Sequence, residues 1–389
     1  MKLPQTIEEL EELLASPITI PDNFNLDASS VLTRSSFPIE DIARAQTLNS
    51  LIRKIPTSHG SIKFSSQEQE VEALNILGTI PLGLLLIARA REWFPKNEQS
   101  RLKSIRADYF EQLHSWPDLA RRDSTFLLCD DEYSKGLPFP LFDATGKLKS
   151  GQYFEKFVPS LVESVMQAEE LRGEFISQSS LLTTLLFELF KNTQDHALFD
   201  ARNQGIVGSV RLISCRFYDL NDLVVPSQKD SSVPLEPHIA FVKSLQKTGL
   251  SMREQAKKHY QGILEFSVMD SGPGFVGSWL RRPVTVDEDI STEYQAVLSC
   301  LRAGHSTARN PNRGLGLTDV LRALRKLNGF IRIRTNRISV YRDFNLLKDD
   351  MKDPVDAVLH DWRKGLSSKA SVFGETTGAA VSVLVPVEV

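Results

Sequence analysis

The chain has 389 residues, with 46 Lys plus Arg against 49 Asp plus Glu and a formal charge of -3. That length allows two domains and a sizeable core, and the near balance of charge excludes a global basic field of the kind that tracks nucleic acid. The three cysteines, Cys129, Cys215 and Cys300, are too scattered for a metal-ligand spacing or a disulfide framework, so a reducing cytoplasm is the expected setting.

The opening MKLPQTIEELEELLAS is acidic and helical in pattern, unlike the basic region and apolar run of a secretory signal. Apolar spacing and flanking Pro and Ser predict helices over about Thr6–Leu14, Ile39–Arg53 and Gly83–Trp93, with ITIPDNF and SIKFSS as short strands or loops. The most apolar stretch, Ile76 to Ala88, is interrupted by Pro81 and falls short of the about 20 residues that span a bilayer, so it is expected to be buried and no membrane is implied. Arg101 to Arg122 reads as one more amphipathic helix, broken near Pro117. His114 is followed by Ser115, Trp116 and Pro117 where a phosphoacceptor histidine would have an acid, and is expected to be an ordinary surface or boundary residue. Residues 1–130 thus read as a smaller mixed α/β or helical domain with a regulatory or interaction role. Through IPLGLLLIARA and the helix after it, this region weakly resembles an anti-sigma-factor-antagonist type of regulatory domain.

From about Asp130 a Gly-, Pro- and Asp-rich connector or hairpin leads to a helix over about Tyr153–Leu171, with Phe154, Phe157, Leu161, Val165 and Ala168 on its apolar side. The next helix, Leu181 to Ala197, carries two faces. Leu182, Leu185, Leu186 and Leu189 form a core stripe, while Glu188, Asn192 and Asp195 stack on a second face at steps of four and three. An amide oxygen is a hard, neutral magnesium ligand that leaves positions for water and phosphate, and a carboxylate one turn earlier can take a proton from an attacking water. A solvated helix face has the same composition, so the pattern alone leaves both readings open.

Two strands are predicted next, Ile206–Tyr218 and Ile263–Met269, separated by a polar segment, Asp219–Gln261, that ends in the basic helix SMREQAKKHYQ. Its Lys257, Lys258 and His259 suit either phosphate contact or plain solvation. The second strand runs into DSGPGF, in which Asp270 can accept from an exocyclic amine and Gly272 and Gly274 let the backbone approach a flat ligand. A helical run from about Glu293 to Ala303 and the polar GHSTARNPNRG lead to Arg313, Gly314, Leu315 and Gly316, where glycines opening the helix Thr318–Leu327 would present backbone N–H groups to an anion. Arg313 adds a cation suited to phosphate, whereas Arg309 suits a surface position equally well. The strands GFIRIRTN and ISVYRDF, a charged excursion over about 346–375, and an alternating final strand, GAAVSVLVPVEV, complete the chain.

Taken in order, ELFKNTQDHA, DSGPGF and RGLGL resemble the N box and the two glycine boxes of the superfamily that includes DNA gyrase, heat-shock chaperones, sensor histidine kinases and MutL-type ATPases. The resemblance covers about Leu137 to Val389. It implies an α/β fold: a C-terminal two-layer α/β sandwich of the Bergerat ATP-binding type over 131–389, with a mixed sheet, insertions at 219–261 and 346–375, and a lid at 290–313. By motif position, Glu188 would activate water, Asn192 would hold magnesium, Asp195 would support the nucleotide-side network, and Asp270 with Gly272 and Gly274 would take adenine. Arg313, Gly314, Leu315 and Gly316 would close on the phosphates.

The cofactors implied are ATP and Mg, and the function is ATP hydrolysis used as a conformational switch in a signalling protein, with an unidentified protein partner and a homodimer as expected associations. Two alternatives remain: a protein kinase of this fold acting on a separate partner's His or Ser, and an ATP-sensing module without hydrolysis. His196-Ala197 resembles the His-Ala or His-Gly ending of sensor kinases and anti-sigma-factor kinases, though no phosphoacceptor motif precedes it. The absence of a further domain after Val389 is read against gyrase and MutL-type enzymes. One departure concerns the last strand, where many relatives place a Thr and this chain has Gly378, Ala379 and Ala380, with Thr376 and Thr377 slightly earlier.

Overall fold

A computed structural model of the chain describes residues 1–16, 24–54, 60–63, 77–89, 96–113, 124–166, 169–226, 234–248, 260–302, 316–346, 359–365 and 370–388. His114, Lys257, Lys258, His259, Arg309 and the glycine-box residues Arg313, Gly314 and Leu315 lie outside these.

The protein is mixed α/β. Seven strands form an open sheet: β3 (Ser124–Asp130), β4 (Val210–Asp219), β5 (Tyr260–Asp270), β6 (Phe330–Asn336), β7 (Ile338–Asp343), β8 (His360–Asp361) and β9 (Thr376–Glu388). Their order is β3-β4-β5-β9-β6-β7-β8, and every pairing is antiparallel. The expected mixed sheet is therefore corrected. Apolar alternation marks a strand but not its direction, and here the last strand enters the middle of the sheet antiparallel to both β5 and β6. The parallel pairing described, β1 (Phe24–Asp27) with β2 (Gly60–Lys63), forms a separate two-stranded unit.

Helices cover both faces. On one side lie α6 (Gly151–Val165), the 28-residue α7 (Glu169–His196) and α11 (Gly316–Lys326), which pack on one another, with α6 over β3 and β4 and α7 over β5 and β9. The predicted stripe on α7 is core: Leu182, Leu185, Leu186 and Leu189 are all buried. The sheet residues under these helices are largely apolar. Arg211 and Asp270, cross-strand partners in the β4–β5 ladder, are the charged exceptions.

The opposite face is polar. Side by side across the ladders stand Arg216 and Glu265, then Ser214, Ser267, Ser382 and Arg332, and then Arg334 beside Ala380. This face is covered by α1 (Ile7–Ala15), α3 (Glu40–Lys54) and, from the 219–261 segment, α8 (Pro237–Thr248). Glu11 bonds Arg332 at 3.1 Å and Arg334 at 2.8 Å, Asp41 bonds Arg216 at 3.1 Å, and the Ile39 amide donates to Glu265. Each buried charge thus has a partner from the covering layer, which is what makes its burial tolerable. His238 of α8 stacks on Trp362 from the 346–375 segment at 5.5 Å, so the two insertions meet on this face.

The predicted buried element becomes α4 (Pro81–Ala88), with Pro at its start as the fixed φ favours, and Leu82 to Ile87 buried. Among the described residues no helix is long and apolar enough to cross a membrane. The helix predicted from Arg101 begins earlier, as α5 (Lys96–Gln112), and the shorter α2 (Ala28–Leu32) follows β1 directly.

Candidate functional site

The three motifs converge along one helix. Gly272, in the turn after β5, is seated against α7's end: a Cβ there would lie 2.7 Å from the Ala197 Cα. Gly316, the first residue of α11, is seated against the same helix farther back, where an added Cβ would collide with the Glu188 carboxylate. Glu188 and Ala197 are nine steps apart along and just past this helix, a span of about 13 Å. Asn192 and Asp195 lie between them, half-buried. The structure therefore brings Glu188, Asn192, Asp195, Asp270, Gly272 and Gly316 onto one track.

Asp270 ends β5. The β5–β9 ladder runs to Met269 and Ala380 and stops there, because β9 breaks register between Ala379 and Thr376 against β6. In place of a ladder bond, Asp270 Oδ1 accepts the Ala379 N–H at 3.3 Å and the Gly272 N–H at 2.8 Å. Oδ1 carries both of the carboxylate's hydrogen bonds among the described residues, which leaves Oδ2 for an incoming donor. Burial pushes the Asp270 carboxyl up to about 6, against the opposing pull of these backbone N–H groups and of Arg211 and Arg53.

At this turn Gly274 and Gly378 both sit in the left-handed region, with φ of 71° and 70°, where a side chain would be strained. A Cβ at Gly274 would collide with the side chains of Thr335 and Asn336, and one at Gly378 with the Asp270 carbonyl. Thr335 and Asn336, at the end of β6, hold the turn from outside: Thr335 Oγ1 accepts the Phe275 N–H at 3.0 Å and Asn336 Nδ2 donates to the Pro273 carbonyl at 3.2 Å. Phe275 belongs to the short helix α9 (Gly274–Leu280).

Several of these contributors are not legible as site residues in the sequence. Where a Thr was looked for in the last strand, the group that meets Asp270 is a backbone one, the Ala379 N–H, next to the left-handed Gly378. A Gly just before a strand's alternation was the one available signal. Lys191 also goes unread: its Nζ lies 3.3 Å from Glu188 Oε2, tethering the carboxylate next to Gly316. Arg211 joins Asp131 to Gln194 Oε1, the latter at 2.6 Å, which fixes α7 one residue before Asp195.

At the other end, α10 (Ile290–Leu301) begins the expected lid. Asp289 caps it by accepting the Ser291 N–H at 2.9 Å, and Thr318 Oγ1 of α11 donates to the Leu301 carbonyl at 3.0 Å. Residues 303–315, with Arg313, Gly314 and Leu315, fall outside the described part, and so does their relation to Glu188.

The arrangement is a half-buried polar track with an acceptor at one end, and at the other a carboxylate facing the start of an 11-residue helix. Against known proteins, no family model, no curated protein and no solved structure matches this chain.

Proposed function

We propose that this track binds ATP with magnesium and hydrolyses it, the nucleotide state serving as a conformational switch in a regulatory protein. The observation that carries the reading is the joint seating of Gly272 and Gly316 on α7, at its Ala197 end and at Glu188. A glycine that lets a purine lie flat and a glycine that opens a helix toward phosphates are thereby spaced along the residues suited to magnesium and water. Ordered resemblance of the three motifs to the gyrase, chaperone, histidine kinase and MutL superfamily supports the same assignment.

On this reading Asp270 accepts the adenine amino group, with Gly272 and Gly274 giving the ring room. Asn192 holds magnesium, whose other ligands are phosphate oxygens and water; among the described residues no three His, Cys, Asp or Glu side chains gather into a protein-only metal cage. Bound magnesium would neutralise charge on the transferring phosphoryl group. Glu188 accepts the proton of the attacking water, Asp195 supports the network beside Asn192, and Gly316 with Arg313, Gly314 and Leu315 faces the phosphates. The lid over 290–313 carries the nucleotide state to a protein partner or to a second copy of the chain.

Phosphate release and calorimetry test the assignment together. The parent protein should bind ATP and release phosphate with magnesium, and Glu188→Ala should lower turnover by roughly 10²–10⁴ while nucleotide affinity stays within a few-fold. Undiminished turnover in that variant rejects Glu188 as base, and absence of binding heat with the parent protein rejects the site. Labelled phosphate arriving on a second protein instead of in solution would move the reading to a kinase.

A further inference from the structure

The purine turn is gripped by three chain segments, and one helix of the opposite layer holds all three. The segments are the end of β5 with Ser271, the start of β9 at Thr377–Ala379, and the end of β6 at Arg334–Asn336. On α3, Asn49 Nδ2 donates to Ser271 Oγ at 3.2 Å, Ser50 Oγ accepts the Thr377 N–H at 2.8 Å, and Gln46 Nε2 donates to the Arg334 carbonyl at 3.0 Å. Each bonded residue adjoins one that touches the turn directly: Ser271 adjoins Asp270, Thr377 adjoins Gly378, and Arg334 adjoins Thr335.

Gln46, Asn49 and Ser50 stand at i, i+3 and i+4, one stripe of the helix. All three are buried, at 1%, 0% and 0% exposure. Polar side chains so placed are retained at a cost in desolvation unless their bonds do something a well-packed apolar stripe would not. The cost is visible at Asn49, whose Oδ1 is buried without a partner among the described residues. Apolar residues at these three positions would pack against the sheet but would remove the shared brace from α3, leaving only the segments' own bonds to hold their register.

We propose that Gln46, Asn49 and Ser50 are positioning residues for the purine end of the site, so that α3 sets the selectivity of Asp270 for an amino-bearing base. The inference rests on the nucleotide reading of the site. None of the three touches the nucleotide; they act through Ser271, Thr377 and Arg334. A shift of a few tenths of an ångström between β5 and β9 would lengthen the Ala379–Asp270 bond and rotate the carboxylate away from the amino group. Contacts along the phosphates would be little altered.

The test compares ATP with purine riboside triphosphate, which has the same phosphates and lacks the amino group, by calorimetry on the full chain. In Asn49→Ala and Ser50→Ala, ATP affinity should fall roughly fivefold to tenfold, the size of one net hydrogen bond, with the amino-free nucleotide changed less than about twofold. A merely structural role would weaken both nucleotides together and keep their ratio. Hydrogen exchange on the parent protein supplies a readout free of substitutions: ATP should slow amide exchange over Glu40–Lys54, and unchanged exchange there overturns the proposal. A parental affinity ratio kept in both variants also overturns it while leaving the site standing, whereas a parent protein that binds neither nucleotide removes the site and this inference with it.

Discussion

Replacing Asp270 with Asn separates what the carboxylate does for binding from what it does to the fold. Its carboxyl titrates at about 6 in the folded protein because burial disfavours the charge. An adenine amino group donates to the ionised form, so apparent affinity should be half-maximal near pH 6 and about tenfold weaker at pH 5 than at pH 7.5. ATP's own phosphate ionises at around pH 6, which would confound a single curve. Purine riboside triphosphate carries the same phosphates, and the difference between the two titrations isolates the carboxylate. In Asp270→Asn the retained Oδ1 still accepts from Gly272 and Ala379, but an NH₂ replaces the free oxygen and faces the amino group donor to donor. Loss of a bond to a charged group together with this mismatch should cost ~1.5–3 kcal/mol of ATP affinity, roughly tenfold to a hundredfold, and the pH 6 inflection should vanish.

Stability should move the other way. A carboxyl raised from 3.8 to about 6 binds its proton more tightly folded than unfolded, so its contribution is intact below pH 3.8 and is lost as pH rises through 6. By pH 7 the loss approaches ~3 kcal/mol, which the neutral amide escapes. Denaturant titration of the nucleotide-free protein should therefore find Asp270→Asn more stable than the parent at pH 7, with the gap closing toward pH 4. A variant that is less stable at pH 7, or that keeps both its ATP preference and the pH 6 inflection, would refute the assignment of Asp270 as a desolvated acceptor.

Gly316→Ala drives its Cβ into the flexible tip of the Glu188 side chain, so the melting temperature should hold or rise slightly while ATP turnover falls tenfold or more, on the order of 1.4 kcal/mol in the barrier. Gly378→Ala meets a backbone carbonyl instead and must hold a positive φ, so urea denaturation should give a loss of ~2–4 kcal/mol, with ATP affinity lowered as well. His238 is pushed down to about 3 by burial, with the charge of Arg332 acting in the same direction, and both its ring nitrogens lack partners among the described residues. It stays neutral when folded and gains a proton when unfolded, so its contribution is present above pH 6.5 and is lost as pH falls toward 3. His238→Phe keeps a ring between Phe37 and Trp362 and should flatten the acid limb of the stability curve by about 3 kcal/mol, as read by thermal melts from pH 7 to pH 4.

Elements that bury one stripe or one apolar face were legible in advance. The alternation of β9 marked that strand, and α3 was bracketed to within a residue, while the leucines of α7 marked only its second half, the helix beginning at Glu169 rather than at Leu181. What the sequence concealed lies where burial is complete on every side. Ser124–Asp130 is buried along its length and offers no alternation, so β3 went unread. On α3, burial runs from Glu40 through Ile52, and a polar Gln46, Asn49 and Ser50 look like solvent contacts until the second layer is known. The α8 helix likewise lay inside a segment that read as polar connection. At the candidate site Glu188, Asn192 and Asp270 could be singled out in advance, because a spacing and a residue type mark them. The Ala379 N–H was not, since a backbone donor has no residue type to announce it.

The two ends of the site differ in how they are held, and that difference bears on how a nucleotide could switch the protein. Asp270 is held by the Gly272 and Ala379 N–H groups and its neighbour Ser271 is bonded from α3, so consecutive residues are each fixed by separate partners. Moving that turn means breaking bonds to β4, β6, β9 and α3 together, and those to β4, β9 and α3 are buried, so that their loss leaves unpaired groups. At the Gly316 end, the described hydrogen bond between α10 and α11 is the one from Thr318 to Leu301, and Gly316 lies beside the carboxylate of Glu188, whose tether, Lys191, is partly exposed. An exposed pair of this kind contributes ~1 kcal/mol or less. On the proposed function, phosphate arrival and loss therefore act where resistance is lowest. The purine end serves as the fixed point, and displacement enters through Glu188, Gly316 and the α10–α11 contact.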